Sequence, residues 1–99
     1  MDQTPLQLFV EIRCKSDRLD EVEERALAFV QRTREEPGCE AVSFYRVNED
    51  SQRFVFLATF NDVSALEEHF DTSWRREALD HMSELLAEPA RRATLERVA

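Results

Sequence analysis

Residues 6–14 alternate without interruption, with Leu6, Leu8, Val10, Ile12 and Cys14 on one side and Gln7, Phe9, Glu11 and Arg13 on the other. A period of two predicts a strand with one apolar face. The period then changes. Leu19, Val22, Ala26, Phe29, Val30 and Thr33 recur every three or four residues, the stripe of an amphipathic helix, with Ser16 ahead of it as a capping residue. Pro37 and Gly38 stop this helix, because proline disfavours helical geometry in the residue before it and glycine accepts a left-handed turn. A second strand is predicted from Ala41 to Val47, with Val42, Phe44 and Arg46 opposed to Ala41, Ser43, Tyr45 and Val47. After a turn over Asn48–Gln52, the strand 53–60 sets Phe54, Phe56, Ala58 and Phe60 against Val55, Leu57 and Thr59. Apolar bulk on both faces predicts a strand covered on both sides.

Asn61 and Asp62 can cap a short helix bearing Val63, Leu66 and Phe70, and a second helical run follows through Trp74, Ala78, Met82, Leu85 and Leu86 until Pro89. Residues 91–98 read as a last strand, with Leu95 its clearest apolar position. The order strand, helix, strand, strand, helix, strand predicts an α+β fold of the ferredoxin-like, split βαβ kind. Its helices cover one face of a four-stranded antiparallel sheet. Ninety-nine residues suit a single domain spanning 1–99. The sheet face without helices would expose Val55, Leu57 and one side of the first strand, so a second copy packed sheet to sheet is expected, giving a homodimer.

Composition narrows the function classes. Thirteen Lys and Arg against twenty-one Asp and Glu leave a net charge of −8, which argues against nucleic acid and anionic membranes as partners. The short, charge-interrupted apolar runs and the N-terminal ten residues carry no signal-peptide pattern, so a cytoplasmic location is expected. Cys14 and Cys39 then read as reduced, small buried hydrophobes. They fall at opposite ends of two parallel strands with another between, too far apart for the roughly 7 Å reach of a disulfide. A single glycine, Gly38, excludes Gly-rich phosphate cradles. Two histidines without Cys/His spacing suggest no metal site.

The segments Glu11-Ile12-Arg13-Cys14-Lys15 and Glu36-Pro37-Gly38-Cys39, the aromatic strand Phe54–Phe60, then Asp62, Ala65, Leu66 and His69, and Ser73-Trp74 together resemble the antibiotic-biosynthesis-monooxygenase family over about residues 6–88. The resemblance implies a dimeric α+β barrel and, for many members, oxygenation of quinols or polycyclic phenols without metal or flavin. Other members degrade haem. Quinol-oxygenating members commonly carry Glu and Trp where this sequence has Ala58 and Phe60. The Asn, Trp and His of the haem-degrading branch fall at Ile12, His69 and Leu79, which disfavours that reaction.

Cofactor-free oxygenation needs a dry cavity, a proton acceptor and hydrogen-bond donors. Phe9, Phe44, Phe54, Phe56, Phe60, Phe70 and Trp74 could line a flat aromatic pocket between helices and sheet, or simply fill a core. His69, about 60° off the line through Leu66 on its helix, is the candidate for proton transfer. The alternative is a surface histidine or a helix-end hydrogen bond. His81 could join the same cavity. Arg13 and Arg46 could orient an anion or form salt bridges, and Glu11 could act as a base if buried. The acidic run Asp17, Asp20, Glu21, Glu23, Glu24 reads as a solvated face at a helix start. The expected function is therefore a cofactor-independent monooxygenase acting on a small aromatic. A non-catalytic ligand-binding dimer, or a scaffold working through its acidic helices, is the alternative.

Overall fold

The computed structural model describes residues 4–99; residues 1–3, part of the stretch inspected for a targeting signal, lie outside the described residues. The elements are β1 (Leu6–Arg13), α1 (Leu19–Arg34), β2 (Cys39–Arg46), β3 (Arg53–Phe60), α2 (Val63–Asp71), α3 (Ser73–Ser83) and β4 (Arg91–Leu95). The four strands form one antiparallel sheet in the order β2-β3-β1-β4, the ferredoxin-like arrangement. Register follows the apolar alternation. Leu8 sits opposite Ala58 and Val10 opposite Phe56, so the inner faces of β1 and β3 coincide. Phe9 sits opposite Leu57 on the other face, and Leu57 opposite Ser43. A slip of one residue would exchange these two sets, which is why the pattern fixes the pairing.

The helices cover the inner face. Val22, Ala26, Val30 and Thr33 are the buried stripe of α1. With Leu8, Val42, Phe56, Ala58, Phe60 and Leu66, Val30 forms the larger core cluster. Ile12, Cys14, Val22, Phe54 and Leu85 form a second one at the far end of the sheet. Phe60 is wholly buried, so Phe60→Ala would cost about 3–5 kcal/mol. On the opposite face Phe9, Val55 and Leu57 are only partly buried, and among the described residues no helix packs on them.

Several local expectations are corrected. Helix α1 begins at Leu19 with Arg18 in the capping position and no side-chain cap; Ser16 lies in the preceding turn. Asp20 and Glu21 in its first turn supply favourable charge instead. The second strand starts at Cys39, two residues early, through a bulge between Cys39 and Ala41. The last helical run stops at Ser83, after which Leu85 and Leu86 serve the sheet edge: the Lys15 N–H donates to the Leu85 carbonyl at 2.9 Å, and Cys14 bridges Leu86. Strand β4 ends at Leu95, short of residue 98.

Both thiols are free. Cys14 is buried and its pKa is pushed up to about 11 by that burial, whereas Cys39 is only half-buried. Gly38 does not adopt positive φ, so its role is spatial: a Cβ there would lie 2.2 Å from the Cβ of Ala65 on α2. Among the described residues, no helix is long and apolar enough to cross a membrane.

Candidate functional site

Helix α3 stands off the sheet, and the gap beneath it is a cavity of about 600 Å³, within the size range of small-molecule sites. Leu8, Val10, Ile12, Phe44 and Phe56 form its floor, Phe29 of α1 and Trp74 of α3 its walls. The rings pack on one another, Phe29 against Phe56 at 5.5 Å between centroids and against Trp74 at 5.1 Å. Edge-to-face and tilted pairs of this kind hold aromatic walls in fixed positions.

His69 lines the cavity and is wholly buried, which removes the surface-histidine alternative. Its Nδ1 lies 2.6 Å from Oε1 of Glu36, in the turn that closes α1. A carboxylate only accepts, so Nδ1–H donates and the Nε2 lone pair is left available. Nε2 is buried and has no hydrogen-bond partner among the described residues. Burial holds the imidazole below its usual pKa, and Glu36 opposes this only in part. Burial thus favours the neutral ring.

Local sequence explains the placement. Asp62 caps α2 by accepting from the Ala65 N–H at 2.9 Å. Gly38 lets the Glu36–Gly38 turn press against Ala65, one turn of helix before His69. The Asn61 N–H donates to the Gly38 carbonyl at 2.9 Å, tying the turn to the start of α2. Thr72, extended between α2 and α3, donates its hydroxyl to the His69 carbonyl at 3.0 Å.

Of the predicted site residues, His69, Phe44, Phe56, Trp74 and His81 are brought together around the cavity. The side chain of His81 is largely exposed at the mouth. Phe60 and Phe70 sit behind it as a seat for the imidazole, 5.0 and 5.9 Å from its centroid. Phe54 stacks on Phe44 at 5.2 Å and belongs to the second core cluster. Phe9 differs from the expectation, since it shares the parity of Leu57 and projects from the far face of the sheet. Arg46 pairs with Glu23. Arg13 pairs with Asp50 at 3.7 Å, and Glu11 accepts from Arg53 at 2.9 Å on the uncovered face, so none of the three reaches the cavity.

Residues that the sequence did not mark for the site are Glu36, Phe29 and a set of arginines. Arg25, Arg32, Arg75 and Arg92 all line the cavity, against one carboxylate, Glu77. Arg32 lies over the Trp74 ring at 5.0 Å. Arg75 is buried, its Nε has no partner among the described residues, and burial followed by repulsion from Arg92 lowers its pKa. Among the described residues no group of three or more His, Cys, Asp or Glu side chains is placed to hold a metal ion.

An uncharacterised protein of Synechocystis sp. is 31% identical over 86 residues, which are 87% of this chain and 58% of that relative; the chain thus spans little more than half of its length. A Pseudomonas aeruginosa protein of known crystal structure superposes with a TM-score of 0.86 at 27% identity, covering 97% of this chain and 96% of the other. A Nitrosomonas europaea protein, described as a candidate antibiotic biosynthesis monooxygenase, superposes with a TM-score of 0.90 over 99% of this chain and 94% of its own. At 17% identity that likeness speaks for the fold. The sequence profile described as antibiotic biosynthesis monooxygenase matches residues 5–84. With the sheet order and the match over most of its length in agreement, the chain belongs to the antibiotic biosynthesis monooxygenase family.

Proposed function

We propose that the protein oxygenates a small aromatic, a quinol or polycyclic phenol, in the cavity beneath α3, without metal or flavin. The observation that carries this reading is the buried His69, whose Nδ1 is engaged by Glu36 and whose Nε2 is unpartnered among the described residues, beside aromatic walls. Nε2 takes a proton from the substrate, and the resulting anion delivers electrons to dioxygen. For an anthrone-type carbon the balance closes within the substrate: CH₂ becomes C=O, one oxygen atom is inserted, and the other leaves as water with the two hydrogens. The apolar floor excludes bulk water from the anion. The uncovered sheet face with Phe9, Val55 and Leu57 packs on a second copy, as the family's barrel dimers do.

One observation favours a binding-only alternative. The inner face of β3 is Phe54, Phe56, Ala58 and Phe60, all buried, so this strand brings no carboxylate to the site. A scaffold acting solely through its acidic helices is opposed by the cavity, which such a role does not need. Oxygen uptake with quinols and anthrone-like phenols separates the readings. The expected result is consumption of one dioxygen per anthrone-type substrate, reduced about 100-fold or more in His69→Asn, which keeps a donor toward Glu36 but lacks the base. Binding without uptake, or uptake unchanged in the variant, overturns the catalytic reading.

A further inference from the structure

In a chain of net charge −8, the cavity wall is cationic, and its arginines are not equivalent. Arg25 is tied to Glu21 at 3.3 Å and Arg32 is stacked on Trp74. Among the described residues neither Arg75 nor Arg92 forms a salt bridge; both rest on the same ring, Phe70, with their guanidinium carbons 4.7 and 4.6 Å from its centroid. They come from different elements. Arg75 is the third residue of α3, and Arg92 stands opposite Val10, on the inner face of edge strand β4. The nearby acid Glu36 already accepts from His69. A buried guanidinium with an unsatisfied Nε, facing a second cation, is costly unless an anion completes it.

We propose that the ligand of this cavity bears an anionic group, a carboxylate or phosphate, which docks on Arg75 and Arg92 while its apolar ring lies against Phe29, Phe56 and Trp74. This rests on the ring-binding role proposed for the cavity and adds its substrate class: ring-bearing acids are selected over neutral phenols. A guanidinium offers a planar fork matched to two oxygens, so an oxyanion accepts from Arg75 and Arg92 at once. With Phe70 behind both cations, the docked charge is held at a fixed distance from His69, whose ring packs on the same phenyl group.

Calorimetric titration of the whole protein with naphthoate, naphthyl phosphate and naphthamide tests the proposal, since the three share a ring and differ in charge. The expected result is that one of the two anions binds about tenfold or more tightly than the amide. Rising salt should narrow this advantage. In Arg75→Gln and Arg92→Gln the ratio of anion to amide affinity should fall toward one. Which anion wins distinguishes carboxylate from phosphate. Arg75→Met separates ligand binding from a structural role: an anion seat predicts an unchanged or higher melting temperature with the preference lost, a structural arginine a lower one with the preference kept. Equal affinity for all three ligands overturns the anion seat and leaves the ring pocket standing. A preference that survives both glutamine variants overturns its assignment to these arginines. Failure of every ligand to bind overturns the ring pocket and the anion seat together.

Discussion

The Glu36 carboxylate and the His69 imidazole, 33 positions apart in the chain, meet at 2.6 Å in the interior, one from the turn after α1 and the other from α2. The contact fixes which imidazole nitrogen carries the proton. In Glu36→Gln the negative charge that raises the His69 pKa is gone, so that pKa should fall further. A hydrogen bond to a charged group contributes about 1.5–3 kcal/mol, and stability should drop by an amount of that order. Titration of the two histidines by proton NMR, with His81→Gln to assign them, checks the direction; a His69 pKa that rises would contradict it.

Acid should weaken the fold through the same ring. His69 is held below 6.5 when folded, chiefly by burial, whereas the unfolded chain takes up the proton near that value. Above 6.5 neither state is protonated there and the full stability is present. As pH falls below 6.5 the unfolded state gains a proton that the folded state refuses, and stability declines until the lowered pKa is reached. Urea midpoints between about pH 7.5 and 5 should show this slope, and His69→Asn should remove it. A slope of equal size in the variant would assign the effect elsewhere.

Gly38 is required for space. Gly38→Ala places a methyl group on Ala65, and overpacking of this kind costs about 1–3 kcal/mol. Ala65→Gly in the same chain should recover most of that loss, less about 1 kcal/mol for glycine within a helix. Thermal denaturation of the single and double variants measures it. No recovery would mean that the close approach of turn and helix is not what Gly38 provides.

Leu57, opposite Phe9 and Ser43 on the uncovered sheet face, tests the proposed pairing of two copies. Light scattering should give twice the 11.6 kDa of one chain, and Leu57→Glu should shift the mass to a single chain, since a buried unpaired charge costs several kcal/mol. A monomeric native protein would contradict the pairing.

Filling the cavity should abolish binding without harming the fold. Ala78 of α3 lines it and is half-buried. Ala78→Phe should weaken aromatic ligands by about tenfold or more while the melting temperature holds. Unchanged affinity would place the ligand elsewhere.

Much of the fold was legible because parity and period act locally. Leu8, Val10 and Ile12 declare one face of β1, and the stripe from Val22 to Thr33 declares the buried side of α1. The same parity put Phe9 with Gln7 and Glu11, yet its aromatic character drew it into the expected pocket, where the pleat does not allow it. Glu36 stood within a recognisable turn, but its partner depends on how closely the turn approaches α2, which only packing decides. Arg75 and Arg92 carried no local signal. One lies in the first turn of a helix and the other on an exposed edge strand, and Phe70 brings them together only once α3 and β4 are in place. Glycine at 38 suggested a left-handed turn; crowding against Ala65 is the reason found, and crowding is a property of two segments.

The central claim is a neutral His69 protonated on Nδ1 and free on Nε2. Nitrogen-15 NMR of the imidazole at neutral pH reads both nitrogens directly. The expected spectrum has His69 Nδ1 in the protonated, pyrrole-like range and Nε2 in the unprotonated, pyridine-like range. Two protonated nitrogens, or the proton on Nε2 alone, would leave no base in the cavity and contradict the account.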